Sequence, residues 1–368
     1  MKKLLALVMA MAMVLALVAC GGGSSSKPAS TPDASNPAAS TPADKPEDDG
    51  TVYKMRIGTL TVEVEQNTAT ALDFKARIEE ATGGRVVVDV FPSAQLGTAA
   101  QMVEGMQTGT IEGALFPLDY LGSVYPAAAC IGVPGFVGND IESVCAVMNE
   151  MGGVDLLNPG LNEGGLHLVG TLFTDKYSYL LADREIKSVA DVAGLKLWAP
   201  PSAYTQALVE GMGGSVTFFD TSDLAVSINQ KTVNGALASP ALYSAQKLYE
   251  TCKYCVGLVG RTGCTGFIMS DAFLDSLPED LRATVLEVAM QSIIEFEYPY
   301  AAAAAENSLK VMEEGGCNIY MSDEIPELQA ELEEHYAANL ELYMQNAGED
   351  GKAMYDEFQK LLAEYNAG

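Results

Sequence analysis

The stretch GLKLWAPPSAYTQALVEGMGGSVTFF, residues 194–219, holds a short apolar strand, a helical pattern and a second apolar strand. The first strand stops at Pro200 and Pro201, because proline cannot continue a sheet ladder. A helix from about 203 to 212 follows, and glycines separate it from SVTFF. This strand–helix–strand order favours a parallel sheet with helices packed on its faces.

Similar patterns lie on both sides of this stretch. They are a strand KMRIGTL (54–60), a helix in ALDFKARIEEA that ends at Gly83-Gly84, a strand RVVVDVF (85–91), a helix over 99–107, strands IEGALF (111–116) and LHLVGTL (166–172), a helix start at Ser188-x-x-Asp191, a helix near 224–230, a strand VNGALA (233–238) and a helix through Gln246. A long helical tract, Pro278 to Glu314, is interrupted by Pro299, and the tail from Ser322 reads as further helix.

The N-terminus has the composition of a secretory signal. Lys2 and Lys3 precede an apolar run of about 16 residues, which is short for a membrane span. The run ends in LVAC (17–20), which resembles the bacterial lipobox, where the cysteine receives diacylglycerol. We expect residues 1–19 to be a lipoprotein signal peptide, Cys20 to be the lipidation site, and residues 20–50, rich in Gly, Ser, Pro and Ala, to be a disordered tether. The alternative is an ordinary signal peptide with an incidental cysteine.

Length and charge restrict the class of protein. A chain of 368 residues exceeds what one core usually organises, so two lobes are expected. With 49 acidic and 21 basic residues the formal charge is −28, which excludes binding along a nucleic-acid backbone because that mode needs clustered Lys and Arg.

Catalytic and metal-binding motifs are missing from the sequence. There is no G-x-S-x-G, H-E-x-x-H, Walker loop or G-x-G-x-x-G, and His167 and His335 lie in structural or solvated patterns. Cys252-x-x-Cys255 with Cys264 provides three thiols, one short of a closed zinc site. We therefore expect no enzyme, no cofactor and no metal, and disulfide pairing among the cysteines stays open.

The predicted strand ends indicate where a ligand lies. In open α/β sheets, ligands bind outside the carboxyl ends of the strands. This rule selects Leu60 and Thr61, the segment from Pro117 to Tyr120, Trp198, and the segment from Ala238 to Pro240.

Several segments in the same order resemble one family. They are EEATGGRVVVDVFPSAQLGTAAQMVEGMQTGTIEGAL (79–115), IGVPGF (131–136), REIKSVADVAGLKLWAP (184–200), VNGALASP (233–240), LYETCKYCVG (248–257) and DSLPEDLRATVLEVA (275–289). Together they resemble the solute receptors of tripartite ATP-independent periplasmic (TRAP) transporters, of the dicarboxylate-binding DctP type.

The resemblance implies an α/β periplasmic-binding-protein-like fold with two lobes, parallel or mixed sheets, an interlobe ligand cleft and a long lobe-spanning helix. It implies lobe I over 51–174 and 262–300, lobe II over 175–261 and 301–322, and C-terminal helices over 323–368. It also implies a receptor, not an enzyme, that closes on a small organic solute and delivers it to membrane permease subunits. With the lipobox, this predicts an extracytoplasmic lipoprotein anchored at the cell membrane.

The binding residues of the family carry over poorly. Trp198 stands where the family has the carboxylate-binding arginine of G-L-K-I-R-x-P, and apolar or aromatic residues occupy other polar positions. The resemblance and the strand ends together give the candidate ligand-binding residues Leu60, Thr61, Pro117, Tyr120, Tyr177, Ser178, Tyr179, Trp198, Leu237, Ala238 and Ser239.

The loss of the arginine favours an aromatic or apolar solute over a typical dicarboxylate, because a carboxylate without a cation is costly to bury. An organic cation in a cage of Trp198 and tyrosines, near Asp119 or Asp175, is an alternative, and so is a monocarboxylate. Lys176, Arg56 and Arg261 are the candidate replacement cations, although a surface position is the simpler interpretation of each.

Two other functions fit parts of the pattern. The receptor of an ATP-driven importer shares the lipobox, the tether and the two lobes. A cell-surface hydrolase or lyase would have to use carboxylates such as Glu63 and Asp119.

The Cys20 hypothesis predicts that Cys20→Ser releases the protein from the membrane into the medium, because the variant cannot receive diacylglycerol. Fractionation of expressing cells followed by immunoblotting measures the distribution. A serine substitution at Cys145, which lies outside the LVAC motif, is the control. Membrane retention of the Cys20→Ser variant equal to that of the unmodified protein would contradict lipid anchoring.

Overall fold

The structure is a computed structural model, and it describes residues 50–63, 65–136, 141–175, 177–219, 221–261 and 263–367. The predicted signal peptide, Cys20, nearly all of the tether, and Lys176 lie outside these residues. The side chains of Ile141, Thr174 and Asp175 are likewise outside the description.

The described residues form a two-sheet α/β structure. The strands are β1 (Tyr53–Thr59), β2 (Val86–Phe91), β3 (Gly113–Pro117), β4 (Leu166–Asp175), β5 (Ser178–Ala182), β6 (Lys196–Trp198), β7 (Ser215–Thr217), β8 (Gly235–Ala238), β9 (Tyr254–Leu258), β10 (Gly263–Ser270) and β11 (Asn318–Met321). The helices are α1 (Gln66–Ala81), α2 (Ala99–Gln107), α3 (Ile141–Asn149), α4 (Gly153–Glu163), α5 (Ala203–Gly211), α6 (Leu224–Asn229), α7 (Pro240–Ala245), α8 (Asp271–Ser276), α9 (Glu279–Gln291), α10 (Tyr298–Glu314) and α11 (Pro326–Ala367).

Both sheets are mixed. The first sheet has the order β2-β1-β3-β10-β4, with β1 parallel to β2 and β3, and β10 antiparallel to β3 and β4. The second has the order β11-β9-β5-β8-β6-β7, with β6 parallel to β7 and β8, and β5 antiparallel to β8 and β9. The predicted α/β fold class is therefore confirmed. The strands in antiparallel pairs include β4 and β5, and β9 and β10, which precede and follow the connections between the sheets.

Each sheet is buried on both faces, which is why its strands are almost continuously apolar. Along β3, Ala114 and Phe116 face one core, and Leu115 faces the other. In the second sheet, Leu197 and Trp198 likewise belong to different cores. The side chains alternate because successive residues of a strand point to opposite faces.

The Ser188-x-x-Asp191 pattern begins a shorter element than predicted. The helix there is one 3-10 turn, Val189–Val192, whose start is fixed by Ser188 N donating to Asp191 Oδ2 at 2.9 Å. The turn ends after Val192 because Gly194, with φ of 76°, takes the chain into β6.

The long helical tract is interrupted just before Pro299. A π-helical turn, Ser292–Glu297, joins α9 to α10, and Pro299 lies in the first turn of α10. A proline in the first turn of a helix costs little stability, because the N–H groups of that turn have no helical acceptor. The irregularity predicted at Pro299 thus lies in the preceding turn, where the widened backbone places Glu297 in the interior.

The Glu297 side chain is fully buried and has no cation beside it among the described residues. Gln66 Nε2 donates to Oε1, while Oε2 has no hydrogen-bond partner in the described part of the chain. Burial raises the pKa of Glu297 well above its ordinary value, against a hydrogen bond from the Phe173 backbone. The carboxyl group therefore favours its protonated form in the folded protein.

The C-terminal helix α11 packs against elements attached to both sheets. Tyr336 belongs to a core of the second sheet, and the Tyr343 hydroxyl donates to Ala127 O at 3.0 Å beside the first. The helix breaks at Gly348, with φ of 60°, and continues to Ala367. Along this second part, Gln359 Nε2 donates to Phe136 O at 2.8 Å.

We predict that Glu297→Gln reduces the dependence of stability on pH. Because the folded pKa is raised, the stability contributed by the protonated carboxyl is complete below the unfolded pKa of about 4.3 and is lost as pH rises toward the folded pKa. The glutamine variant carries no such proton, so its free energy of unfolding should fall less between pH 5 and pH 8, with each unit of pKa shift worth about 1.4 kcal/mol.

Urea denaturation at a series of pH values measures this slope. Glu295→Gln is the matched control, because Glu295 lies in the same turn but is exposed and pairs with Arg77 at 2.7 Å. Equal slopes for the unmodified protein and Glu297→Gln would contradict a buried, protonated carboxyl group.

Candidate functional site

The carboxyl ends of the parallel strands place the predicted residues in two groups, one on each sheet. Leu60, Thr61, Pro117 and Tyr120 follow β1 and β3, and all four side chains are half-buried. Tyr120 lies edge-on to Phe116, with ring centroids 6.1 Å apart.

The Thr61 side chain is held by the start of α1. Its hydroxyl lies 3.0 Å from the Thr68 hydroxyl, which also donates to Thr61 O at 2.8 Å. Thr68 is fully buried, so these bonds fix the loop that leaves β1. The backbone at the end of β1 is therefore well defined next to Leu60.

On the second sheet, the structure brings Tyr177, Tyr179, Trp198 and Ala238 into one hydrophobic cluster together with Phe219. Strands β6, β7 and β8 are parallel, so their carboxyl ends lie at one edge of the sheet. Phe218 and Phe219 follow β7 at that edge, and Phe218 is 41% exposed.

Trp198 is a buried member of this cluster. Its side chain is 4% exposed, and Nε1 donates to Phe219 O at 3.0 Å. Its ring lies 6.3 Å from the Phe219 ring at an interplanar angle of 51°. Since the indole N–H is already bonded, Trp198 has only ring surface to offer a ligand.

Tyr243 stabilises the strand ends that carry this cluster, and it was not among the site residues predicted from the sequence. Its hydroxyl lies 2.6 Å from Tyr179 O and 2.9 Å from Ala236 O, and it accepts from Ala238 N at 2.7 Å. These bonds join the ends of β5 and β8. In the sequence, the available indication of this role was that the tyrosine lies in a short helix directly after a strand end.

Three of the predicted residues have structural roles around this edge. Leu237 is 1% exposed and belongs to the core on the face opposite Trp198. Ser239 caps α7, its hydroxyl accepting from Leu242 N at 3.3 Å. Ser178 is buried, and its backbone N donates to Arg261 O at 2.8 Å.

Five polar residues meet beside this cluster and are called here the polar cluster: Asp119, Ser202, Thr205, Arg261 and Tyr336. They come from the turn after β3, the start of α5, the connection between β9 and β10, and α11. Arg261 Nη2 donates to Thr205 Oγ1 at 2.6 Å. Arg261 Nε and the Tyr336 hydroxyl are buried without a hydrogen-bond partner in the described residues. Arg261 is half-buried, so the surface position expected for it is only partly correct.

The two charged members influence each other electrostatically. Burial raises the pKa of Asp119, while a hydrogen bond with Ser202 and the charge of Arg261 act to lower it. Burial lowers the pKa of Arg261, and the negative charge of Asp119 acts to raise it. The polar cluster thus holds one carboxyl and one guanidinium group in a partly desolvated place.

The other candidate groups lie elsewhere. Arg56 forms a two-pronged ion pair with Glu112, at 2.9 Å from Nε and 2.7 Å from Nη2. Glu63 is exposed. His167 Nδ1 lies 3.9 Å from Asp271 Oδ1, and burial lowers the pKa of His167.

The cysteines in the described residues are free thiols, five of them buried and Cys145 half-buried. In the same part of the chain, no group of three or more His, Cys, Asp or Glu side chains is arranged to hold a metal ion. None of the described helices combines the length and the apolar character needed to cross a membrane.

Two surface depressions lie away from the predicted residues. One of about 230 Å³ is lined by residues that include His167, Asn158 and Met290. Another of about 340 Å³ is lined by residues that include Tyr53 and Phe273. Neither contains a member of the polar cluster or of the aromatic group around Trp198.

Comparison with known proteins identifies relatives of one kind. Residues 58–345 match the model of the DctP family, "Bacterial extracellular solute-binding protein, family 7". The C4-dicarboxylate-binding periplasmic protein DctP of Rhodobacter capsulatus is 25% identical over 264 residues, which are 71% of this chain and 76% of that protein. The uncharacterised protein y4mM of Sinorhizobium fredii is 25% identical over 59% of this chain, but the match spans only 40% of that longer protein.

A solved structure shares the fold. The TRAP periplasmic solute-binding protein of Desulfovibrio salexigens, with bound orotic acid, has a TM-score of 0.77 at 20% identity and covers 85% of this chain and 99% of its own. These matches confirm the resemblance and the two-sheet fold class predicted from the sequence. They also confirm that the relatives are solute-binding proteins and not enzymes.

The burial of Trp198 predicts a large loss of stability for Trp198→Ala. Removing a buried aromatic ring leaves a cavity, so the free energy of unfolding should fall by about 3–5 kcal/mol. Trp198→Phe keeps a ring in the cluster and should cost less. Urea denaturation followed by circular dichroism compares the variants, and a cost below 1 kcal/mol for alanine would contradict the packing described.

Proposed function

Because the chain belongs to family 7 of the bacterial extracellular solute-binding proteins, we propose that it is the solute receptor of a TRAP-type transporter. It captures a small organic solute between the two sheets and delivers it to membrane permease subunits. The signal peptide, the lipidation of Cys20 and the tether belong to the same proposal, since a receptor anchored by lipid remains near its permease.

One observation supports the position of the binding site most strongly. The polar cluster is joined by the backbone to the strand end that carries Tyr177 in the second sheet and by the chain to Tyr120 in the first. Arg261 O is bonded to Ser178 N beside Tyr177, and Asp119 precedes Tyr120. An apolar surface with a few convergent polar groups is the usual composition of a small-molecule site.

The aromatic residues favour a solute with a planar or apolar body. Tyr177 and Phe219, half-buried, provide ring surface from the second sheet above the buried Trp198, and Tyr120 provides it from the first. Stacking on such rings contributes about 0.5–1.5 kcal/mol beyond the area buried. Phe218, exposed at the same edge, adds apolar surface that a bound solute can cover.

A C4-dicarboxylate, named for the Rhodobacter relative, fits this chain less well. Two carboxylates need two cations or a dense set of donors, and the polar cluster contains one cation, Arg261. Trp198 adds no donor, because its N–H is bonded to Phe219 O. Orotic acid, bound to the Desulfovibrio neighbour, shows that a protein of this fold accommodates a planar ring with a single carboxyl group.

Closure around the solute requires that the sheets rotate relative to each other. The π-helical turn before α10 is a described place where the chain departs from regular helix, and such a short segment can absorb a change in backbone angles during hinge closure. We assign each sheet with its attached helices to one lobe, as the resemblance implies.

The test of the function is identification of the solute. The protein is purified without denaturation, and compounds released on unfolding are identified by mass spectrometry. A small organic compound present at close to one equivalent supports the receptor. Chemical turnover of that compound by the purified protein would contradict it.

We predict that this solute closes the receptor and changes the emission of its single tryptophan. Small-angle scattering of the soluble protein should give a smaller radius of gyration with solute, because closure removes the open cleft. Tryptophan-selective emission should shift or lose intensity on binding, and Trp198→Phe, which lacks the indole, is the control. An unchanged radius and unchanged emission at saturating solute would contradict closure over the aromatic group.

A further inference from the structure

Arg261 has an incomplete set of partners in the polar cluster. Nη2 donates to Thr205 Oγ1 at 2.6 Å, but Nε is buried and has no acceptor. Among the described residues, no carboxylate oxygen forms an ion pair with Arg261 within 4.0 Å. A guanidinium group removed from water is normally paired, because its desolvation costs several kcal/mol. Arg261 therefore has an unused donor and a charge that no carboxylate of the described residues pairs with.

Asp119 is the carboxyl group whose charge acts on this cation. The turn 126–132 passes directly beneath it, and a Cβ added at Gly132 would lie 1.8 Å from Asp119 Oδ1. Ser202, at the start of α5, is close enough to act against the rise in the pKa of Asp119 that burial causes. The missing side chain at Gly132 thus creates the space that the carboxylate occupies, and the carboxylate is left half-buried.

The two groups are near enough to influence each other but do not form a direct ion pair. The negative charge of Asp119 acts on Arg261, and the positive charge of Arg261 acts on Asp119. A purely anionic ligand would pair with Arg261 and leave Asp119 beside a second negative charge. A purely cationic ligand would pair with Asp119 and leave Arg261 beside a second positive charge. A ligand with both charges satisfies both groups and keeps the site neutral.

The aromatic group determines the rest of the ligand. Tyr120 directly follows Asp119, and the Arg261 backbone is bonded to Ser178 beside Tyr177. Both charged groups are therefore close in the chain or through a backbone bond to a half-buried tyrosine. An apolar substituent on the charged part would be buried there.

Resting on the proposed function, we propose that the site binds a zwitterion: an α-amino acid with an apolar or aromatic side chain. Its carboxylate binds the Arg261 guanidinium, its ammonium group binds the Asp119 carboxylate, and its side chain lies against the aromatic residues. In this proposal the cation that binds the ligand carboxylate is Arg261, in the connection between β9 and β10. It is not a residue at the end of β6, where Trp198 lies.

The test uses three matched probes with the full-length chain purified in detergent. L-Phenylalanine has both charges, 3-phenylpropanoate lacks the ammonium group, and 2-phenylethylamine lacks the carboxylate. The remaining apolar and aromatic L-amino acids are screened beside L-phenylalanine by isothermal titration calorimetry, and the tightest is compared with its own deaminated and decarboxylated analogues. We expect the amino acid to bind at least about 10-fold more tightly than either analogue.

Variants assign the two charges separately. Arg261→Gln should weaken the amino acid and the carboxylate analogue by about 30-fold or more and leave the amine unaffected. Asp119→Asn should weaken the amino acid and the amine similarly and leave the carboxylate analogue unchanged or tighter. Arg56→Gln, which removes an arginine that already pairs with Glu112, is the control and should change none of the three.

Folding is checked by circular dichroism, and Arg261→Lys provides a second variant that keeps the charge if Arg261→Gln fails to fold. A lysine lacks the fork of donors, so it should retain only part of the affinity for the carboxylate. Equal binding of the amino acid by the folded Arg261 and Asp119 variants would overturn the proposal.

Other outcomes separate this inference from the proposed function. If no amino acid binds, or if the solute released from the purified protein lacks either charged group, the zwitterion assignment is wrong and the receptor function stands. If the purified protein releases no solute and binds neither these probes nor orotate nor succinate, the receptor function itself is contradicted.

Discussion

Two antiparallel strand pairs, one in each sheet, lie on either side of the connections between the sheets. They set the geometry on which the rest of the molecule depends. Strand β4 pairs with β10 in the first sheet, and β5 pairs with β9 in the second, with Gly263 opposite Asp175 and Ser178 opposite Leu258. The bond from Ser178 N to Arg261 O, at 2.8 Å, lies between these ladders. The strands β4, β10, β5 and β9, joined by these backbone bonds, are called here the ribbon between the sheets.

The position of Arg261 follows from this ribbon. Its guanidinium is near groups attached to both sheets, because Nη2 donates to Thr205 on α5 and the charge of Asp119, from the turn after β3, acts on it. The end of β6 carries an indole instead of a cation, and the ring of that indole packs against Phe219.

The sequence predicted the strand–helix units well, because their period and their capping residues are local. Helix α2 was located to the residue, since Thr98 and Gln101 form the capping box that starts it. Strands β5 and β9, in contrast, did not stand out as units, because they pair antiparallel with partners far away in the chain. The helices α3 and α4 were missed as well, and Gly152, Gly153 and Pro159 weaken the helical pattern there.

The candidate site was predictable only in its outline. The rule that ligands lie at the carboxyl ends of strands predicted Tyr120 and Trp198. It does not indicate which side chains at those ends are buried by their neighbours. Leu237 and Trp198 end neighbouring strands on opposite faces, a difference set by register. Arg261 follows a glycine in a connection, where nothing local distinguishes a surface arginine from a buried one. Only tertiary structure brings it to Asp119 and Tyr336.

The burial of the thiols has a consequence for their reactivity. Burial raises the pKa of Cys145 and Cys252 to about 12 and that of Cys317 to about 11, so these side chains carry almost no thiolate at neutral pH. Thiolate is the species that attacks a disulfide or reacts with an oxidant. In the folded state these three side chains are therefore slow to attack a disulfide or to react with an oxidant.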